Sequence, residues 1–248
     1  MASTSETGNA INVANLQKLI SFCIGFGASY IPSKVSITLP ALNTLYSEAT
    51  ESLEVINNLL PAYTNAINAR FEVFSPLSKI ITRVVNAANA SDISTQTQKD
   101  VKSIAKKLQG KRSSSASPTT PDNPNTPENE STLTISSSQM SFDQRIESMD
   151  RLIQLLSAQP AYIPNETDLK LTALTTLLAS MRSTNTVVIN AYFPVSNARI
   201  NRDKIIYAAN KGIADIAQDV KSYVKSVFGG TSPQYKQISG LKFKKRKL

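Results

Sequence analysis

The 248-residue chain is 41% hydrophobic but only 6% aromatic, has no Trp and carries 8 Gly, a balance that fills packed cores and argues against both wholesale disorder and a turn-rich β fold. It has no His and one cysteine, Cys23, which removes the commonest general acid/base and metal ligand, His-activated nucleophiles, intrachain disulfides and cysteine-cluster metal sites. Of the net charge of +9, six units fall in residues 229–248, so the helical bodies are only mildly basic and the positive field belongs to the C-terminal segment.

In chain order, Leu16, Leu19, Ile20 and Cys23 mark the first amphipathic helix at i, i+3, i+4, i+7. Cys23 on this stripe reads as a small buried hydrophobe. The apolar stretch from Ile20 to Phe26 is short and broken by Ser21 and Gly25, which does not suit a secretory signal. No run approaches the roughly 20 apolar residues of a membrane span, so a cytoplasmic location is expected. Gly25-Phe26-Gly27 follows no strand and is a turn rather than a dinucleotide fingerprint. After the corner Tyr30-Ile31-Pro32, a second helix carries Leu39, Leu42, Leu45, Tyr46, Ala49, Leu53 and Ile56. Its Glu48, Glu51 and Glu54, at i, i+3, i+6, read as a solvated face, since a di-metal bundle wants Glu-x-x-His pairs. Pro61 is expected to start or kink a third helix. Ser75-Pro76 is a cap-plus-N1 signal for another. Residues Ala87 to Gln98 read as a loop. A last helix bears Val101, Ile104, Ala105 and Leu108 and stops at Gly110.

Residues 111–140, rich in Ser, Thr, Pro and Asn, have the composition of a disordered linker. Beyond it the pattern starts again. Tyr162-Ile163-Pro164 repeats the corner at an offset of 132, and residues 30–70 align with 162–202 without a gap, with 13 identities in 41 positions where chance gives about 3. Met149, Leu152, Ile153 and Leu156 repeat the first stripe. Leu171, Leu174, Leu177, Leu178 and Met181 repeat the second, and Pro194 falls beside Pro61. Matching Asp100-Val101-Lys102-Ser103 to Asp219-Val220-Lys221-Ser222 makes Val220, Tyr223, Val224 and Val227 the last helix, stopped by Gly229-Gly230. The expected fold is therefore all-α: two tandem homologous bundles of about four helices, residues 1–110 and 141–229. Polar residues shared by the copies (Asn58/Asn190, Asn65/Asn197, Arg70/Arg202, Asp100/Asp219 and Lys102/Lys221) read first as structural, with buried asparagines fixing register and Arg70–Asp100 and Arg202–Asp219 as pairs to test.

Residues 230–248 are expected to be an extended basic tail. Tyr235, Ile238, Leu241 and Phe243 are apolar anchors for docking on the bundle or on a partner. Lys242, Lys244, Lys245, Arg246 and Lys247 are candidate contacts for nucleic acid or another anionic surface, through sequence-blind, salt-sensitive binding.

The segments SQMSFDQRIE (Ser138 to Glu147), DVKSYVKSVFG (Asp219 to Gly229) and SPQYKQISGLKF (Ser232 to Phe243) resemble an uncharacterised Bacteroidetes family of tandem helical-repeat proteins. The resemblance spans nearly the whole chain and implies a bacterial, helical, cytoplasmic protein; it brings no activity, cofactor or catalytic residue with it. The reading is a non-enzymatic protein-binding or scaffold protein without a metal or cofactor site. A nucleic-acid-associated protein acting through its tail is the alternative.

Overall fold

The computed structural model describes residues 7–110 and 140–245. Apart from Met140, the segment read as a linker lies outside the described residues, as do Arg246 and Lys247 of the tail. About 80% of the described residues are helical and none is in a strand, so the chain is all-α.

The helices are α1 (Thr7–Gly25), α2 (Leu39–Phe74), α3 (Leu77–Asn89), α4 (Thr95–Gln109), α5 (Phe142–Ser157), α6 (Leu171–Tyr207), α7 (Ile213–Phe228) and α8 (Pro233–Ser239). Three begin on a serine whose side chain accepts a backbone N–H of the first turn: Ser94 from Thr97, Ser141 from Gln144 and Ser232 from Tyr235. Such caps are worth about 1 kcal/mol each. Gly110 ends α4 in the left-handed conformation, φ 67°, which a residue with a Cβ adopts only at a cost.

Three local expectations are corrected. Pro61 and Pro194 do not start a third helix: they sit inside α2 and α6, which run 36 and 37 residues. Pro76 stands just before α3 rather than inside it, and the Ser75 hydroxyl donates to Glu72 O instead of capping. Most of the Ala87 to Gln98 stretch is helical, because α3 reaches Asn89 and α4 starts at Thr95.

The chain forms two compact units, Met1–Thr64 with Ala191–Leu248, and Asn65–Asn190. These units cut across the expected 1–110 and 141–229 division. The reason is the unbroken helices: each long helix gives its first part to one unit and its second part to the other.

The first unit buries Val13, Leu16, Leu19, Ile20 and Cys23 of α1, with Tyr30, Ile37, Leu42 and Ala49, against Ile206, Ile213, Ile216, Ala217, Val220, Val224 and Ile238. The second buries Phe74, Leu77, Ile81, Val84, Val101, Ala105 and Leu108 against Met149, Leu152, Leu156, Tyr162, Leu169, Leu174, Leu178 and Met181. Each core thus joins residues that precede position 111 to residues that follow position 139.

The two tyrosine corners have the same geometry. The Tyr30 hydroxyl donates to Ile37 O at 2.6 Å, and that of Tyr162 to Leu169 O at 3.0 Å, both buried. Each acceptor ends a single 3-10 turn, Val35–Ile37 or Thr167–Leu169. Helix α7 packs against Val35–Ile37, α1 and α8; α3 packs against Thr167–Leu169 and α4; α4 packs against α5, and α8 against α1. So α7 has the neighbours of α3, and α8 those of α4. The match of Asp100-Val101-Lys102-Ser103 to Asp219-Val220-Lys221-Ser222 pairs helices with different surroundings. The segment 230–248 is not extended throughout, because it supplies α8.

Candidate functional site

The tail anchors pack onto their own unit. Ile238 is fully buried, and Tyr235, Leu241 and Phe243 lie partly buried against the same core. Beyond α8 the chain runs extended from Leu241 to Lys245, so side chains alternate: Leu241 and Phe243 face the core, and Lys242 and Lys244 are exposed.

What holds this segment is main-chain recognition. Asn12, with 0% of its surface exposed, donates from Nδ2 to Lys244 O at 3.0 Å, while Lys244 N–H donates to Asn12 Oδ1 at 2.8 Å. Asn15 donates to Lys242 O at 2.9 Å. Lys221 of α7 donates from Nζ to Leu241 O at 2.5 Å and to Ser239 O at 3.3 Å, with its ammonium 5.6 Å from the Phe243 ring centre. Burial lowers the pKa of Lys221. At the far end Lys245 meets Asp215 at 2.8 Å, and that bond, with a second from Asn210 N–H, lowers the Asp215 pKa. Composition gave no sign of this row, but register did: Asn9 and Asn12 fall on the buried stripe of α1 with Leu16, Leu19 and Cys23. A buried amide must be paired to be tolerated.

The residues identical in the alignment of 30–70 with 162–202 divide by exposure. Leu42 and Leu174 are fully buried and serve the cores. Asn58, Asn190, Asn65 and Asn197 are all exposed, so they do not fix register from within. Val55 and Val187, identical and aligned, are 42% and 51% exposed; Ile31 and Ile163 of the corners are 75% and 78% exposed. In the first unit Val55 and Asn58 share a face of α2, and the unit also holds Asn197. In the second, Val187 and Asn190 share a face of α6, and the unit also holds Asn65. Each unit therefore presents one Val, one Ile and two Asn that its core does not use.

The expected Arg–Asp pairs are not formed. Arg70 donates to Asn185 Oδ1 at 2.8 Å and lies 3.7 Å over the Phe142 ring, while Asn185 in turn donates to Asp143 at 2.8 Å. Arg202, buried, meets Asp203; Asp219 meets Lys34, and Asp100 accepts from Gln96. The reason is that Arg70 faces α5 and α6 rather than α4.

Glu48 and Glu51, with Ser52 and Val55 of α2, line an open cleft of about 400 Å³ whose opposite wall is Asn201 and Ile205 of α6. Glu54 is exposed too. No three metal-ligating side chains gather among the described residues. Cys23 is buried, and burial pushes its thiol up to about 11, far from the depressed range of a reactive nucleophile. Among the described residues no helix is long and apolar enough to cross a membrane.

No family model, no curated protein and no solved structure matches this chain.

Proposed function

We propose that the chain is a non-enzymatic protein-binding scaffold, derived by tandem duplication of one helical module, that presents an equivalent partner surface on each unit. The observation that supports this most is the exposure of identical residues. A copied core residue is explained by packing, but Val55/Val187 and Asn58/Asn190 lie on the outside of long helices. An exposed Val flanked by an amide suits a modest apolar contact with a polar rim. The open cleft beside Val55 extends that surface. Membership of the Bacteroidetes helical-repeat family, and a bacterial cytoplasmic setting, belong to the same proposal and rest on the three segments that carry the resemblance.

The test is capture from a lysate of the source cells by three full-length proteins: wild type, V55D/N58D and V187D/N190D. Surface changes of this kind usually alter stability by less than about 0.5 kcal/mol, so loss of capture reports the surface. A protein recovered by wild type and lost from either variant fits the proposal; identical recovery by all three refutes it.

A second reading, anionic-polymer binding through the tail, is favoured by the exposure of Lys242, Lys244 and Lys245 along a backbone that is held in place. Gel shifts of the full chain and of K242Q/K244Q/K245Q/R246Q/K247Q at low and moderate salt test it. Binding that persists in the variant assigns the contact elsewhere. Truncation after Gly229 is the wrong variant, because it removes Ile238 from the core.

A further inference from the structure

The extended residues Leu241 to Lys245 are held like a bound peptide, not like a packed chain end. Among the described residues, the hydrogen bonds that α1 and α7 make to them go, but for one, to their main chain: the Lys244 N–H and C=O to Asn12, the carbonyl of Lys242 to Asn15, and the carbonyl of Leu241 to Lys221. The exception is charge-selective, Asp215 on the ammonium of Lys245. Side chains enter at alternate positions, Leu241 and Phe243, while the intervening Lys242 and Lys244 are exposed. A segment needed only to cover the core would be served by apolar contact alone. A fully buried amide paired to one residue's N–H and C=O instead selects extended backbone whatever its side chain.

We infer that Asn12 and Asn15 of α1, with Lys221 and Asp215 of α7, form a groove for an extended peptide of a partner protein, apolar at alternate positions and lysine-bearing between and after them, and that the chain's own residues 241–245 occupy it as a displaceable resident. The charge complementarity at Asp215 and the two apolar slots define the partner's chemistry. The groove is separate from the Val55 and Val187 surfaces and does not depend on them.

A tethered resident acts at an effective concentration of about millimolar. It therefore masks a groove of micromolar intrinsic affinity by roughly tenfold to a thousandfold. The probe is a fluorescent peptide of residues 239–248, read by anisotropy against the full-length wild-type chain and a full-length L241S/F243S chain whose resident is weakened. The variant should bind at least about tenfold more tightly than wild type, N15A in that background should reverse the gain, and a scrambled peptide of equal charge should bind no better to one chain than to the other. Equal affinity of wild type and variant overturns the groove, and so does equal gain for the scrambled peptide, which would reduce the effect to charge. Should the variant lose helicity, hydrogen exchange at the Lys244 amide of the wild-type chain decides: faster exchange with excess unlabelled peptide supports displacement, unchanged exchange overturns it. A wild-type dimer in sedimentation that the peptide disperses would give the groove to a second copy and overturn its assignment to a partner.

Discussion

Ile238→Ala tests whether the C-terminal helix belongs to the core of the first unit. Ile238 is fully buried among the residues of that core, and α8 packs on α1 and α7. The substitution removes three carbon groups, worth about 2.4 kcal/mol of transfer at roughly 0.8 kcal/mol each. The vacated space adds to this, for a total of about 3 kcal/mol in a rigid setting. A short helix joined to α7 through Gly229-Gly230 can shift inward, which sets about 2 kcal/mol as the lower side of the expectation. Against a domain stability of about 5–15 kcal/mol that is a visible shift. Urea unfolding followed by Tyr fluorescence and by circular dichroism measures it, with m unchanged if only stability has altered. A loss below about 0.5 kcal/mol would mean that α8 is not docked in solution, and the groove beside it would go with it.

Gly212→Ala should lower stability by about 1–3 kcal/mol, because an added Cβ would lie 2.6 Å from Ile206 O in the turn before α7; a thermal midpoint equal to wild type would refute the tightness of that turn. Tyr30→Phe and Tyr162→Phe should each cost about 1–2 kcal/mol by leaving a buried carbonyl without its donor, and the two losses should be alike because the bonds are; a neutral substitution at one site alone would break the equivalence of the corners. The Cys23 thiol, raised from 9.0 to about 11 by burial, holds its proton more tightly folded than unfolded. Its contribution is therefore complete below pH 9 and declines as pH rises through 9 to 11. Stability curves of wild type and C23A should stay parallel below pH 9 and converge above it; parallel curves throughout would refute the shift.

How much of this was legible depends on which force decided each element. The stripes of α1, α2, α5 and α6 follow a period of 3.6 and could be read directly, as could the glycine stops at Gly110 and Gly229. Ser232-Pro233 carries the same cap-plus-N1 signal as Ser75-Pro76, and α8 uses it; the short helix leaves no periodic pattern because only Ile238 fills its buried face. The asparagines of α1 were in register but polar, and register was the better guide. What no local signal gives is the continuity of α2 and α6. A proline inside a helix costs about 3 kcal/mol, which is visible in the sequence. The packing on either side that offsets it becomes visible only when the partners of each half are known.

That exchange of halves leads to the strongest test of the architecture. A protease site placed within residues 111–139 splits the chain into a piece carrying α1 to α4 and a piece carrying α5 to α8. If residues 1–110 and 141–229 each closed on themselves, the two pieces would separate as small folded bundles. Here both cores draw on both pieces: Leu16, Leu19 and Leu42 pack with Val220, Val224 and Ile238, while Leu77, Ile81 and Leu108 pack with Met149, Leu152 and Leu174. The cut protein should therefore elute as one species near the intact 26.9 kDa, keep its helicity, and come apart only when denatured. Its unfolding should also become dependent on protein concentration, since folding is then an association. Two fragments that part at micromolar concentration, each still helical, would refute the exchanged cores and restore the division at residue 110.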